Sequence, residues 1–191
     1  MKDNHNLTGR EVSRHVRLEL LKFGVVSAAG PEMSRARELA ALLIGAAIVS
    51  TEALDRVQAT TECAVFIAHE DGQLTGVLAF ILLNAQGADA VLRGAFDAAD
   101  PVLEHLASPD EIVCAVYGWG ICATTKPTAR RLVEGSEAIK PLLDHVAHYA
   151  RPTTEAGRRL MRERLGFVDL PGSQGLVWLP AAEQHKPAVA A

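Results

Sequence analysis

The stretch that decides the fold is residues 146–179, VAHYARPTTEAGRRLMRERLGFVDLPGSQGLVWL. A short β-rich run, HVAHYA, leads into Arg151-Pro152-Thr153-Thr154. Either threonine suits an N-cap, because its side-chain oxygen can accept one of the orphan N–H groups at a helix start. The helix so opened is expected from Glu155 to Leu165, rich in arginine, with Ala156, Leu160 and Leu165 toward a sheet. Gly166 closes it, since the residue past a helix end often turns left-handed and only glycine does so freely. Phe167 then plugs the core, and a last strand ends at Trp178.

Upstream, TTKPTARRLVEGSEAIKPLLDHV predicts a helix from about Lys126 to His145, with Gly135 and Pro141 as places where it breaks. EIVCAVYGWGIC, 111–122, reads as a buried strand. Its Tyr117-Gly118-Trp119-Gly120 segment reads either as a bulge, because glycine weakens a strand and marks a bulge or a close backbone approach, or as a strand end whose aromatics fill the core. CAVFIAHE (63–70) and QLTGVLAFILLN (73–84) flank Asp71-Gly72, a type I′ turn signal, and form a hairpin covered on both faces. Residues 85–109 form an insert with a helix around Pro101–Ala107.

Before the hairpin, Pro31 and Glu32 open a helix whose apolar face is Met33, Ala36, Leu39, Ala40, Leu43 and Ala47, and a short helix covers 51–58. Residues 15–26 alternate Val16, Leu18 and Leu20 with Arg17 and Glu19, which suggests a strand. A helix from Thr8 through Lys22 competes, because Val12, Val16, Leu20 and Phe23 also fit helical spacing. Residues 1–9 and 181–191 read as loose ends of one domain spanning 1–191.

Composition narrows the class. Of 191 residues, 49% are apolar and 22% charged, as in a globular domain with one substantial core. A net charge of −4 gives the whole molecule no pull toward nucleic acid. The longest apolar run, 39–49, is far below the ~20 residues that span a bilayer, and no secretory h-region opens the chain. Cys63, Cys114 and Cys122 lie in or beside apolar runs without CxxC spacing or a His/Cys cluster, so no metal site is expected. The expectation is a reduced, cytoplasmic protein.

The order strand or helix, helix, hairpin, insert, strand, helix, strand, helix, Gly-Phe, strand resembles that of GNAT-type acyl-CoA-dependent N-acyltransferases over roughly residues 60–180. The resemblance implies an α/β (α+β) fold, a mixed, mostly antiparallel sheet flanked by helices. It also implies a V-shaped gap between two neighbouring parallel strands, near Trp119 and His148, that admits an acyl-CoA thioester. The co-substrate is then acetyl-CoA or another acyl-CoA. The acceptor is a small-molecule or peptide amine that attacks directly, with neither nucleic acid nor membrane as partner. A homodimer would suit the apolar first helices. The family's pyrophosphate cradle, R/Q-x-x-G-x-G/A, aligns with 123–133, ATTKPTARRLV. Lys126 takes the basic position and Ala129 the first glycine, but Arg131 stands where a small residue belongs. By that alignment Trp119 and Ile121 line the gap, Thr124, Thr125, Lys126, Thr128, Ala129 and Arg130 hold pyrophosphate, and Thr153 flanks the CoA arm.

The catalytic positions fit the family less well. Many members carry a tyrosine, four residues before the glycine, that protonates the departing thiolate; here that position is Arg162. A guanidinium cannot act as an acid at neutral pH, so Arg162 would stabilise the thiolate or bind a phosphate. A base for the amine is sought among Glu111, Tyr117, and His148 or Tyr149. A GNAT-like module without turnover is the alternative, and it accounts for the altered cradle and the missing tyrosine. A third reading has a long acyl donor, with the 85–109 insert lining its tunnel.

Overall fold

The structure is a computed structural model that describes residues 7–45, 49–173 and 175–182. Helix α1 spans Gly9–Leu21, followed by strand β1, Val25–Ser27. The chain over 15–21 is therefore helix, not the strand its alternation suggested. Thr8 and Glu11 form a capping box at its start. Val12, Val16 and Leu20 are fully buried while Leu18 is 55% exposed, so the four-residue spacing wins over the two-residue one. Helix α2, Pro31–Ile44, and helix α3, Thr51–Thr61, follow. Ala47, placed on the α2 face by its spacing, lies outside the described residues.

Strands β2, Val65–Glu70, and β3, Gln73–Leu83, form the expected hairpin. Asp71 and Gly72 both have positive φ, as a type I′ turn requires. In the insert, helix α4 occupies Ala85–Leu92, capped by Asn84, and only a single 3₁₀ turn stands at Leu103–His105. The helix expected around Pro101–Ala107 is thus displaced toward the hairpin, where the Asn84 carboxamide accepts from the Gly87 N–H. Strand β4 is Ala115–Ala123 and helix α5 is Lys126–Ile139, with a 3₁₀ turn at Lys140–Leu142. Pro141 ends α5; Gly135 does not break it. Gly135 lies where α1 crosses, and a Cβ there would meet Leu20 Cδ2 at 3.0 Å.

Strand β5, Ala147–Ala150, is followed by helix α6, Glu155–Arg159, which widens into a π turn over Leu160–Arg164. Gly166 takes the left-handed conformation expected of it, with φ of 78°. Leu165 and Phe167 are buried, but Ala156 is exposed and does not face the sheet. Strands β6, Val168–Asp169, and β7, Val177–Leu179, complete the sheet. Its seven strands run in the order β1-β2-β3-β4-β5-β7-β6, and every neighbouring pair is antiparallel except β4 and β5. This is the mixed, mostly antiparallel α/β sheet that the GNAT resemblance implied. One face packs against α1 and α5 around Phe66, Phe80 and Leu132, and the other against α2 and α3 around Ile67, Ile81 and Val57.

Of the two segments read as loose, Gly9 and Ala182 are tied to the fold. The amide of Gly9 bonds to Glu111 O, and that of Ala182 to Asp144 O.

Candidate functional site

The parallel strands β4 and β5 pair only from Ala115–Ala147 to Gly118–Ala150. Beyond that point β4 runs five residues further to Ala123, while β5 ends in Arg151-Pro152. Pro152 has no N–H to continue a ladder, and Arg151 before it is held out of helical conformation. On the other side of β4 the register with β3 shifts between Ala79 and Phe80, leaving Trp119 as an extra residue. A bulge bends its strand and raises the local twist, which turns β4 away from β5 where their pairing ends.

Under this opening lies a narrow cavity of about 80 Å³. Its floor is Val116, Gly118, Gly120, Ile121 and His148; its walls are Ser136, Ile139, Lys140 and Leu143 on one side and Met161, Leu165 and Phe167 on the other. The slot is mainly apolar, with three polar groups. The Ser136 hydroxyl donates to Leu132 O at 2.8 Å, the Lys140 ammonium to Leu165 O at 2.8 Å, and the His148 Nε2–H to Leu143 O at 2.9 Å. With Nε2 carrying the proton, Nδ1 is the free lone pair of a neutral imidazole. Burial lowers the His148 pKa, and the nearby Lys140 charge lowers it further. A second cavity shares Lys140 and His148 and opens toward Asp144, Leu179 and Ala182.

The start of α5 follows the end of β4 and contributes no residue to the slot lining. Thr125 is the N-cap: its hydroxyl accepts from the Thr128 N–H at 3.2 Å and donates to the Glu70 carboxylate at 2.8 Å. Thr128 is wholly buried, with its hydroxyl among Thr75, Glu70 and Arg131. Thr124 is exposed, and its amide and hydroxyl both bond to Thr75 O. Lys126, Ala129 and Arg130 are exposed, and Arg130 pairs with Glu134 at 2.7 Å. Pro127 has no N–H, Thr128's is capped and Ala129's runs to Thr125 O, which leaves the Thr125 and Lys126 amides for a ligand.

The expected catalytic residues do not converge. Glu111 lies before β4, at the end remote from the opening, and accepts from the Ser108 N–H at 2.8 Å. Those hydrogen bonds hold its pKa below the usual carboxylate value. Tyr117 is buried on the face opposite the slot, with its phenol pKa raised by burial. Tyr149 stands beside it on the same face, its pKa also raised by burial. His148 reaches the slot at its closed end, where β4 and β5 are still paired, not at the parting strands. Arg162 is exposed and clasps Asp169 with contacts of 2.5 and 2.7 Å. Trp119 donates from Nε1 to Ala98 O, Ile121 points into the α5 side of the core, and Thr153 sits exposed in the loop before α6. Residues 85–109 contribute nothing to the slot lining; Val91, Phe96 and Ala98 lie on the opposite face, where Phe96 packs on Tyr117 at 5.1 Å, and Ala107 is buried on the α5 side.

Ser136, Lys140, Met161 and Phe167 escaped the sequence reading as slot residues. The signal for Ser136 was the Leu132–Ser136–Ile139 spacing, which puts a polar group on the buried stripe of α5. The cysteines are packed thiols: burial raises Cys122 to about 11 and Cys63 to about 12.

No protein-family model matches the chain, and none of the curated proteins matches it. Solved structures similar to it include a GNAT family acetyltransferase from Brucella melitensis in complex with acetyl-CoA. That likeness has 12% identity and a TM-score of 0.47, covering 82% of this chain and 86% of that one. Another is the GphF GNAT-like decarboxylase in complex with isobutyryl-CoA, at 17% identity and a TM-score of 0.46, covering 77% of this chain and 80% of that one.

Proposed function

We propose that the chain is an acyl-CoA-dependent N-acyltransferase, with the pantetheine arm and acyl group in the slot beside β4. One observation carries the reading. Among the described residues the one parallel strand pair parts after Gly118 and Ala150, beside an apolar slot that Gly118, Gly120 and Ile121 of β4 line. An apolar slot suits a thioester and its acyl chain, whose transfer from water is favourable. Main-chain groups on the β4 edge past Gly118 have no β5 partner, so they suit the amide groups of pantetheine and the thioester carbonyl.

The helix start fits the nucleotide less well. Lys126 and Arg130 supply charge and the helix dipole favours an anion. Against that, two amides remain where a pyrophosphate cradle uses several, and the Glu70 carboxylate already stands on the Thr125 and Thr128 hydroxyls. In this reading most of the affinity comes from the slot, with phosphate contacts adding a smaller, salt-sensitive part.

A second reading, an acyl-CoA-binding module without turnover, is favoured by the Arg162–Asp169 pair. It leaves no side chain at the helix position where the resemblance puts the acid.

Thermal unfolding of the full chain with acetyl-CoA, followed by a transfer assay over an amine panel, tests both. Binding stabilises by RT ln(1 + [L]/Kd), about 2.7 kcal/mol at a hundredfold excess over Kd. A shift with turnover supports the transferase, a shift without turnover supports the module, and no shift with any acyl-CoA contradicts both.

A further inference from the structure

The chain has two tryptophans and two tyrosines, and all four stand beside the opening on the face of the sheet that the slot does not use. Register makes them a row. Tyr117 lies opposite Tyr149, and Tyr149 opposite Trp178, across three adjacent strands. The Tyr149 and Trp178 rings are nearly parallel, with centroids 6.5 Å apart. Trp119, lifted by the bulge, sits two residues further along β4 and is tied by its indole N–H to Ala98 O at 2.7 Å. The tyrosines are buried, whereas Trp119 and Trp178 are partly exposed and form the accessible edge of the row.

Two more features bound this place. Ile44, at the end of α2, comes within 3.6 Å of a Cβ built on Gly120. Arg151, two residues past Tyr149 and at the point where the strands part, is exposed and has no carboxylate partner among the described residues. Its charge is close enough to Tyr117 to oppose the rise in phenol pKa that burial causes. The row therefore offers the exposed parts of two indoles, Ile44 as an apolar neighbour and one guanidinium without a carboxylate partner among the described residues.

Neither Glu111 nor His148 supplies it with a base. Glu111 is engaged by Ser108 at the far end of β4, and His148 faces the slot with its Nε2–H on Leu143 O. An alkylamine arrives at neutral pH as an ammonium and needs a base before it can attack; a neighbouring guanidinium also repels it. An aromatic amine is neutral under the same conditions and presents a π-face to stack on indole.

We propose that this aromatic row is the acceptor site, and that its acceptor is a flat aromatic amine bearing a carboxylate. The ring lies against Trp119 and Trp178, and the carboxylate pairs with Arg151, whose fork suits two-point recognition of that group. This rests on the acyl-CoA reading and requires that the amine reach the thioester carbon through the gap past Gly118 and Ala150, where β4 and β5 are no longer paired. The amine nitrogen attacks that carbon and forms the N–C bond. The C–S bond breaks with its electron pair on sulfur, and the nitrogen's proton ends on that sulfur, giving an amide and free CoA.

The test uses 4-aminobenzoate, aniline and lysine as probes on the full chain. Binding is read by calorimetry with and without CoA, and transfer from acetyl-CoA by mass spectrometry. The expected result is saturable binding and acetylation of 4-aminobenzoate, with lysine inert. Arg151→Gln, at an exposed position, should weaken 4-aminobenzoate at least tenfold and leave aniline unchanged; Trp119→Phe should weaken both. Preference for lysine, or an Arg151→Gln variant that binds 4-aminobenzoate like the parent, overturns the proposal. If acetyl-CoA binds but 4-aminobenzoate neither binds nor reacts, this inference falls while the acyl-CoA reading stands. If 4-aminobenzoate binds through Arg151 but acetyl-CoA does not bind, the aromatic-carboxylate site stands and the transferase reading falls.

Discussion

Gly118 of β4 and Ala150 of β5 are the last paired residues of the two parallel strands, and a Cβ on Gly118 would sit 3.4 Å from the Ala150 Cβ. That is ordinary contact, and the backbone at Gly118 is not in the left-handed region. Gly118→Val should therefore fold, since a β-branched residue suits a strand, while its methyls fill the slot. Acetyl-CoA affinity, read by calorimetry, should drop at least tenfold with the melting temperature within a few degrees of the parent. Unchanged affinity would place the acyl group elsewhere.

His148 is neutral in the fold and has a depressed pKa, chiefly from burial. In the unfolded chain it titrates near ~6.5. Above that pH neither state holds the proton, and His148 adds no pH dependence. Below it the unfolded state binds a proton that the native state refuses, so stability falls as pH drops toward the folded pKa. The single-proton slope is at most about 1.4 kcal/mol per pH unit. Chemical denaturation of parent and His148→Asn between neutral and mildly acidic pH should show the slope reduced in the variant.

Arg162 belongs to a surface pair with Asp169, not to the slot. Arg162→Gln should cost no more than ~1 kcal/mol, the usual range for an exposed ion pair. Acyl-CoA binding and any turnover should be unchanged. A hundredfold loss of turnover with intact binding would instead restore Arg162 as the group facing the thiolate.

Lys126 and Arg130 are the exposed cations at the start of α5. Removing both as Lys126→Ala, Arg130→Ala should weaken acetyl-CoA roughly tenfold at low salt, in keeping with ~0.3–1 kcal/mol for each charge near a helix end. The difference should shrink as salt shortens the screening length. S-acetyl-pantetheine, which lacks the nucleotide, should bind parent and variant alike.

The turn at Asp71-Gly72 and the left-handed Gly166 were legible, because each is a local demand of the backbone on one or two residues; the bulge around Trp119 was one of two readings, since glycines and aromatics together suit a strand end as well. The first helix was ambiguous because Val16 and Leu20 satisfy both periodicities, and only tertiary contact exposes Leu18. The insert helix at Ala85–Leu92 was missed because its signal is one Asn84 cap among small residues. The slot was only half legible. Its gap follows from strand order, but Lys140 and Met161 come together only when α5 and α6 pack across β4. The aromatic row depends on register between strands about 30 residues apart, which no local pattern encodes.

Every assignment above depends on an acyl thioester lying where β4 and β5 part. A crystal structure of the chain with acetyl-CoA tests it most directly. The pantetheine arm should lie along Gly118–Ile121, between β4 and Ala150, with the acetyl carbonyl turned toward Trp119. Acetyl-CoA bound away from Gly118 and Ala150, with the slot filled by rearranged side chains, would contradict it.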